Sequence, residues 1–541
     1  MVALPSRPLP RLVTLLVLAL GLAGTSQAAI IIVDDTGGGD YLTIQEAIDN
    51  AASGDSIHVL EGTYIEDLLV YKSLTILALD GPTKVFLLPS TSSPGIGTDP
   101  QYDTATHMIR VTASNVTIDA FNMNGDNPLL PNNPDARTGI ITDSRVTGTS
   151  GLKVQNCVFK NIRLCGIWGL DAGSGLTITN NTLDPINVDP GVSTAIAAGN
   201  AAVSITSNTL TNCSQGIVLT AGATGTVSGN SMTISLLGIA VYDNTGVVTV
   251  SANRAVGCTV AYRTARNHAN VTMSTNTTLG CTTSLQVQGG VDSGATIDVV
   301  GNIVDGLSLF GSVGVHVTSA ITLGGQGAVQ ATVRRNAIFR CETAVLAEEL
   351  VSSPVIDLVV SGSEGQENHF YGTTGDMIVL RGCDDDVEAE YNYWGTTDLS
   401  LIETYVTHKV DDPALGYVDF SHPSPGAPLL TLEGEPIIGQ TVTIKLAGLY
   451  RQQYFLLFSG GTAEIPFPPY GILLLDPSFL RVLLASTIPE GNVASLPGPI
   501  PNDPNLVGIT VYWQALVGFD FTVGDGALSN AMPMTFEAPG P

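Results

Sequence analysis

An asparagine recurs at regular intervals through the middle of this chain. Between residues 155 and 395 it is usually followed two positions later by an apolar residue, and successive asparagines are 22 to 34 residues apart. The positions that share the pattern are Asn156, Asn181, Asn208, Asn230, Asn253, Asn276, Asn302, Asn336, Asn368 and Asn392. A period of this length indicates an array of stacked repeats rather than one globular core.

Apolar residues precede these asparagines with a period of two, as Val203 and Ile205 do before Asn208. This alternation is typical of a β-strand with one buried face. Helical repeats are excluded because no window shows a 3.6-residue period, and the gaps are too short for propeller blades. The repeats therefore predict a parallel β-helix, whose successive coils lie about 4.8 Å apart. We expect the asparagines to occupy left-handed turns and to form hydrogen bonds along the stack.

Two sequence blocks flank the repeats. The first runs from Val33-Asp-Asp-Thr-Gly-Gly-Gly-Asp-Tyr to Ile48, and the second from Asn392-Tyr-Trp-Gly to Phe420. With the repeats, they resemble the right-handed parallel β-helix proteins of the pectin-lyase-like superfamily over roughly residues 30–422. The first block is similar to the opening of pectin methylesterases. The resemblance implies the right-handed fold and a long side suited to an extended polysaccharide.

Both blocks also predict end caps. Thr43 and Glu46 form a capping-box pattern at the start of a short amphipathic helix. A solenoid needs such caps because its end coils expose unpaired strand edges. We expect this helix to cover the first coil, and Trp394, Asp411 and Asp412 to complete the last.

The complete prediction is an all-β chain with four segments. Residues 1–28 are a signal peptide, since Arg7 and Arg11 precede an apolar run and Ser26-Gln-Ala28 offers a cleavage site. Residues 29–422 form a right-handed parallel β-helix with a short N-terminal capping helix. A linker (423–428) leads to a small C-terminal β-sandwich (429–541), where strand-like runs alternate with Pro/Gly turns. The protein is then secreted or held at a bacterial surface.

Charge and hydropathy narrow the range of possible binding partners. With 49 acidic and 21 basic residues the net charge is -28, which disfavours nucleic acid and anionic membranes. After the signal peptide no stretch is apolar enough to span a bilayer. The expected partner is an extracellular polysaccharide or a cell-surface glycan.

Four of the seven cysteines, Cys213, Cys258, Cys281 and Cys341, lie five residues after a repeat asparagine. This shared offset predicts a buried column of small side chains. Cys258 and Cys281 are then vertical neighbours, either bridged by a disulfide or present as buried thiols.

One group of candidate site residues lies on the early coils: Asp119, Asp126, Asp135, Arg137, Asp143, Arg145, Lys160 and Arg163. The resemblance implies a possible lyase chemistry here, because uronate lyases of this fold use a Lys or Arg base beside calcium. On that interpretation Lys160, Arg163, Arg137 and Asp143 are catalytic, and Asp119, Asp126, Asp135 and Arg145 bind ligand. The alternative is a solvated surface with scattered ion pairs, each contributing about 0–1 kcal/mol.

A second group is built on Asp243 and Arg266, which both lie thirteen residues after a repeat asparagine. We expect them to stack as a vertical pair, with Arg263, His268, Gln286 and Gln288 nearby. They form either a binding or acid–base site or an exposed ion pair.

A third group, Asp384-Asp385-Asp386, offers hard oxygen ligands for calcium. Its spacing does not match an EF-hand loop. The alternative is a polar turn with no ion.

The absence of known catalytic motifs narrows the possible activity. The later motifs of pectin methylesterases and the Asn-Thr-Asp and Gly-Asp-Asp motifs of polygalacturonases do not occur. The sequence thus favours a secreted or surface β-helix that presents a long face to polysaccharide without its own catalysis. The alternative is a calcium-dependent polysaccharide lyase, or a glycoside hydrolase, with its groove over the early coils.

Overall fold

The computed structural model describes residues 28–93, 105–142, 149–184, 193–234, 236–290, 292, 294–321, 327–349, 356–361, 367–371, 373–394, 398–424, 429–448, 451–467, 470, 472–489, 493–518, 521 and 526–539. Within these ranges no helix is long and apolar enough to cross a membrane. The predicted signal peptide lies outside them except for Ala28.

Parallel strands stack into three faces that wind around one apolar core, which confirms the predicted β-helix. The chain passes in turn through the first, second and third face of every complete coil. The first and third faces are joined into one sheet by two long strands, Cys165–Thr179 and Thr194–Thr206, which belong to both.

The other strands of the first face are Ile30–Val33, Ser56–Val59, Thr75–Ala78, Thr117–Asp119, Lys153–Gln155, Thr224–Ser228, Val248–Ser251, Val271–Ser274, Ile297–Val300, Val329–Arg334, Ile356–Val360, Val387–Glu388 and Val418–Asp419. The second face consists of Gly62–Ile65, Val85–Leu88, Asn122–Asn124, Val158–Lys160, Thr182–Leu183, Thr209–Thr211, Ser231–Thr233, Arg254–Val256, Thr277–Leu279, Ile303–Asp305, Ala337–Phe339 and His369–Tyr371. The other strands of the third face are Leu68–Val70, His107–Val111, Thr138–Thr142, Gln215–Thr220, Leu237–Tyr242, Val260–Ala265, Thr283–Gln288, Val313–Thr318, Thr343–Glu348, Ile378–Arg381 and Val406–Thr407.

Nine buried asparagines form a continuous ladder between the first and second faces, from Asn181 to Asn392. Each amide nitrogen except the last donates to the amide oxygen of the next asparagine, as Asn253 Nδ2 does to Asn276 Oδ1 at 3.1 Å. It also donates to a backbone carbonyl of the preceding coil, here Val227 at 2.9 Å. The ladder therefore satisfies backbone groups that the turn would otherwise bury unpaired.

Two details of the predicted ladder are wrong. The left-handed backbone conformation belongs to the residue before the ladder asparagine, as seen in eight of the nine coils, for example at Ala252 with φ of 54° or Thr275 with φ of 53°. Asn156 is one of these preceding residues, with φ of 56°, and the ladder position in its coil is taken by Cys157. The Cys157 backbone amide donates to Asn181 Oδ1 at 2.9 Å, where a further asparagine would stand.

The predicted capping helix occupies Ile44–Asn50 and buries Ile44, Ala47 and Ile48. Thr43 caps it, because its hydroxyl accepts the Glu46 backbone amide at 3.2 Å. The Glu66 carboxylate accepts two further amides of the first turn, those of Ile44 and Gln45, each at 2.8 Å. A contact that the sequence did not indicate holds the other end, where Lys72 Nζ donates to three main-chain carbonyls.

At the opposite end Trp394 is buried between two aromatic rings, those of Phe370 and Phe420. Asp411 and Asp412 each accept a nearby backbone amide and so stabilise the final turn. A short helix, Leu399–Glu403, precedes that turn. These positions agree with the closing role expected for Trp394 and the two aspartates.

The column of cysteines is confirmed, since Cys213, Cys258, Cys281 and Cys341 are all buried. All seven cysteines are free thiols, and Cys258 and Cys281 are close enough to share a hydrogen bond. That bond, followed by burial, raises the pKa of Cys258. The stacked pair therefore behaves as small apolar core residues.

The last part of the chain forms antiparallel sheets. A three-stranded sheet consists of Leu429–Glu433, Thr441–Ala447 and Val493–Pro499, and a five-stranded sheet of Gln453–Ser459, Arg481–Thr487, Thr510–Gly518, Ala527–Leu528 and Met532–Thr535. A hairpin of Thr462–Pro466 and Ile472–Leu475 and two 3-10 turns, Pro477–Phe479 and Pro504–Leu506, complete it. Side chains of the two larger sheets share one core, for example Ile444 and Leu456. The β-sandwich assignment and the proposed domain boundaries stay predictions.

Candidate functional site

The outward surface of the third face changes character along the solenoid. On the middle coils it carries an apolar cluster of Leu237, Ala240, Tyr242, Val260 and Ala265. The strands alternate, so their intervening residues point into the core, as Ile239 and Tyr262 do. The polar side chains begin on the second of these coils, with Arg263, and continue on the coils that follow.

These polar side chains form one hydrogen-bonded line across five coils, which we call the polar line: Arg263, Gln286, His316, Glu348 and Arg381. Arg263 Nε donates to Gln286 Oε1 at 2.7 Å, and Gln286 Nε2 lies 3.1 Å from His316 Nδ1. His316 Nε2 lies 3.1 Å from Glu348 Oε2, and Arg381 donates to the other Glu348 oxygen at 3.0 Å.

The arginine at the start of the polar line fixes the direction of its hydrogen bonds. A guanidinium has only donors, so the oxygen of the Gln286 amide must face Arg263. The amide nitrogen then faces His316, whose Nδ1 must accept and whose proton must sit on Nε2. His316 therefore donates from Nε2 to the Glu348 carboxylate.

The polar line becomes more accessible towards the end of the solenoid. The exposed fractions of the His316, Glu348 and Arg381 side chains are 13%, 18% and 65%. The His316 hydrogen bond, and after it the Arg381 contact, lower the pKa of Glu348 to about 2. Glu348 thus stays ionised, and the polar line presents fixed charges and dipoles rather than a group ready to exchange a proton.

Asp243 and Arg266 form the vertical pair that the sequence predicts, in the turn that follows the third face. Arg266 Nε donates to Asp243 Oδ1 at 2.8 Å and its Nη2 to Oδ2 at 2.5 Å. This two-point contact raises the pKa of Arg266. His268 lies two residues after Arg266, and its Nδ1 is 2.8 Å from the Asp292 carboxylate. The pair is a saturated, half-exposed ion pair, and its proposed ligand-binding role stays a prediction.

The carboxylates of the early coils are engaged in local structure. Asp119 accepts from the side-chain amides of Gln155 and Asn156 at 2.7 and 2.8 Å. Asp135 is fully buried inside the loop that follows Gly125, where it accepts the Asn127 amide at 2.9 Å. Burial, and then the charge of Asp135, raise the pKa of Asp126.

The basic residues of the same region differ widely in exposure. Arg137 is buried, Arg163 is half-buried and Lys160 is exposed. Asp143 and Arg145 lie outside the described residues. The catalytic and binding roles assigned to the early coils stay predictions.

The three consecutive aspartates point to different partners. Asp385 accepts the Ile356 backbone amide at 2.6 Å and Asp386 that of Tyr417 at 2.7 Å, while Asp384 is exposed. Potential ligand atoms of Asp385, Glu349 and Cys383 lie within 4.8 Å of one another. Burial, and after it the neighbouring carboxylates, raise the pKa of Cys383 to about 11. A protonated thiol is no ligand for calcium, so this set offers calcium two carboxylates only, and the calcium role of Asp384, Asp385 and Asp386 stays a prediction.

Sequence reasoning missed His316, Glu348 and Arg381. It placed Gln286 and Arg263 in one group near Asp243 and Arg266. Both lie ten residues after their ladder asparagine, whereas His316 lies fourteen after Asn302. Counting from the start of the third-face strand, rather than from the asparagine, identifies His316. Arg263, Gln286 and His316 each lie two positions after a small residue, the second of the third-face strand: Ala261, Ser284 and Gly314.

The family described as "Right handed beta helix region" matches residues 138–304, in agreement with the predicted handedness. Among curated proteins nothing matches this chain. The fold is similar to that of several solved structures of low sequence identity.

The catalytic unit of a thermostable GH87 α-1,3-glucanase from Streptomyces thermodiastaticus is 15% identical, with a TM-score of 0.45, over 70% of this chain and 66% of that one. The chain thus spans just under two thirds of that structure. The A-module of the mannuronan C-5 epimerase AlgE6 from Azotobacter vinelandii is 12% identical, with a TM-score of 0.39, over 70% and 92%. PfbA, a surface adhesin of Streptococcus pneumoniae, is 12% identical, with a TM-score of 0.31, over 62% and 87%. Likeness at this level concerns the fold alone.

Proposed function

We propose that this protein is a secreted or cell-surface β-helix that binds an extended polysaccharide along the outward third face, without catalysis of its own. The observation that carries the proposal is the polar line from Arg263 to Arg381. It presents paired polar groups at the coil spacing of about 4.8 Å, a repeat comparable to the size of a sugar ring, and Arg381 at its end is 65% exposed. The apolar cluster of Leu237, Ala240, Tyr242, Val260 and Ala265 is buried and supports this face rather than contacting a ligand.

The internal saturation of the polar line favours binding over reaction. Both nitrogens of His316 are engaged, and the Arg266 guanidinium holds Asp243 through two contacts. A general base needs a free lone pair within reach of the substrate proton. Groups already matched to one another instead form a rigid surface, which reduces the entropy lost when a ligand binds.

The test is affinity electrophoresis of the mature protein in gels that contain β-glucan, xylan, galactomannan, polygalacturonate, alginate or hyaluronan. Retardation by at least one polysaccharide is expected, with loss of retardation in Gln286→Ala. Gln330→Ala is the matched control, because Gln330 is an exposed glutamine on the first face. Equal retardation of both variants would place the binding surface elsewhere.

Catalysis is measured in the same samples, with and without calcium. Reducing ends report hydrolysis and absorbance of unsaturated product reports lyase activity. We expect neither. Product that depends on Lys160 or Arg163 would replace this proposal with the polysaccharide lyase alternative.

A further inference from the structure

A lengthened loop stands at the corner between the second and third faces, directly before the strand that carries His316. Eight residues separate Asn276 from Ser284, and eight separate Asn336 from Ala344. Twelve separate Asn302 from Gly314. The four additional residues lengthen this corner to the seven residues 306–312, which we call the corner loop.

The corner loop is held in place from both ends. Arg340, in the next coil, donates to Asp305 through Nε at 2.9 Å and again through Nη2. Asp305 in turn accepts the Leu307 backbone amide at 2.9 Å. The Glu342 carboxylate accepts the Gly311 amide at 2.6 Å. A loop with this many fixed contacts presents its side chains in a defined direction.

Its apolar side chains divide into two roles. Leu307 and Leu309 cover Gly280 in the preceding coil, where a Cβ atom would lie 2.9 Å from Leu307 Cδ1. That coil continues into the strand that carries Gln286. Phe310 does not join this packing, because 96% of it is exposed. The loop therefore packs against the coil that carries Gln286, and its phenyl ring faces solvent.

An exposed phenyl ring on a pinned loop contributes little to folding. Exposed apolar residues are common on protein surfaces. On a loop that is held in place, however, the ring is already oriented before a ligand binds, and less entropy is lost on binding. The face of a phenyl ring carries partial negative charge, which attracts the C–H groups of a sugar. The strand that carries His316 begins directly after the loop, so a polysaccharide that extends from the third face over its edge would meet the ring.

We propose that Phe310 stacks on a sugar ring of the polysaccharide that lies along the polar line, and so contributes to its affinity. This inference rests on the proposed function of the third face. Phe310→Ala should weaken binding by about three- to tenfold, the range that a single aromatic contact supplies. Its thermal unfolding should match that of the unchanged chain, because the ring is not packed.

The experiment is a titration of Phe310→Ala, Phe310→Trp and the unchanged chain with the polysaccharide that retards it most in the panel above. Leu129→Ala is the matched control, since Leu129 is another highly exposed apolar residue on a loop. Phe310→Trp should bind as well as the unchanged chain or better. It adds an exposed indole, whose fluorescence should shift to shorter wavelength when a sugar covers it.

The outcomes separate the two proposals. If the unchanged chain binds no polysaccharide of the panel, the proposed function and this inference both fail. If it binds but Phe310→Ala binds equally well, or the Phe310→Trp emission does not move, only the stacking role is wrong.

Discussion

The amide of Gln286 meets the imidazole of His316 through its nitrogen, with Nε2 3.1 Å from Nδ1. This orientation follows from Arg263, which occupies the amide oxygen and cannot accept a hydrogen bond. One arginine thereby determines which nitrogen of a histidine in the following coils carries the proton. Such a series of hydrogen bonds is possible because the coils stack, which places different side chains next to one another along the axis of the solenoid.

Gln286→Glu should change the protonation of His316. An ionised glutamate offers only acceptors, so the oxygen facing Nδ1 requires a proton there, while Nε2 keeps its proton towards Glu348. The ring should then be doubly protonated near neutral pH. Nitrogen-15 NMR of labelled histidine distinguishes an imidazolium from a neutral ring with a single proton on Nε2. Gln215→Glu, on the same face but three coils earlier, should leave the His316 signals unchanged. A signal from Nδ1–H in the unchanged chain would contradict the assigned direction.

Asn253→Leu should destabilise the β-helix strongly. It removes the amide that donates to Val227 and to Asn276, and it leaves the two donors of Asn230 without their acceptor. Each buried group left unpaired costs about 1–3 kcal/mol, so the total loss should be at least about 3 kcal/mol. Thermal or urea unfolding measures it.

Asn156→Leu provides the comparison for the ladder. Asn156 matches the same sequence pattern but lies outside the ladder, where its amide donates to the half-buried Asp119 and accepts from the exposed Asn180. A loss of about 2 kcal/mol is expected, smaller than at Asn253, because the variant loses two partly exposed hydrogen bonds and places leucine in a left-handed conformation. Equal losses for the two variants would remove the distinction between ladder and preceding positions.

The ladder shows how far sequence can lead. The repeat asparagines predict the stacking direction, the coil length and the buried cysteine column, because the positions share fixed offsets. The error at Asn156 arises since two adjacent positions both tolerate asparagine, one for its left-handed backbone and one for its amide. Asn180 and Asn181 occupy both positions in the next coil. Only the hydrogen bonds tell them apart.

The polar line was harder to predict. Its members come from coils of unequal length, because the corner loop adds four residues between Asn302 and His316. Glu348 pairs with His316 diagonally, since it stands directly opposite Thr318 in the neighbouring strand. A constant offset therefore finds Arg263 and Gln286 but not the next two members. Contacts between coils depend on which residues of neighbouring strands stand opposite each other. This register cannot be counted from the asparagines when a loop of different length lies between them and the strand.

Lys72→Met should loosen the capping helix. The Lys72 ammonium donates to the carbonyls of Ile48, Asp49 and Ala51 at 2.7 to 3.0 Å, where the helix dipole favours positive charge. Methionine keeps the length of the side chain but none of these bonds. We expect a loss of about 1–2 kcal/mol and faster hydrogen exchange in the capping helix. Lys84→Met removes only an exposed ion pair with Glu61 and should change neither quantity measurably. Unchanged exchange in Lys72→Met would show that packing of Ile44 and Ile48 suffices.

His369→Phe should make the protein less sensitive to acid. Burial lowers the pKa of His369 to about 3, whereas the unfolded chain binds this proton near 6.5. Between these values unfolding takes up a proton, so stability falls as the pH falls, by at most about 1.4 kcal/mol per pH unit. Phenylalanine keeps the contact that the ring makes with Tyr393, whose centroid is 5.0 Å away, but it cannot titrate. The difference in unfolding midpoint between pH 7 and pH 4 should therefore shrink in His369→Phe. It should stay as large as in the unchanged chain for His422→Phe, which alters an exposed ring. If both variants lose stability in acid as the unchanged chain does, the acid sensitivity comes from carboxylates such as Glu348, whose lowered pKa places its loss between pH 4.5 and about 2.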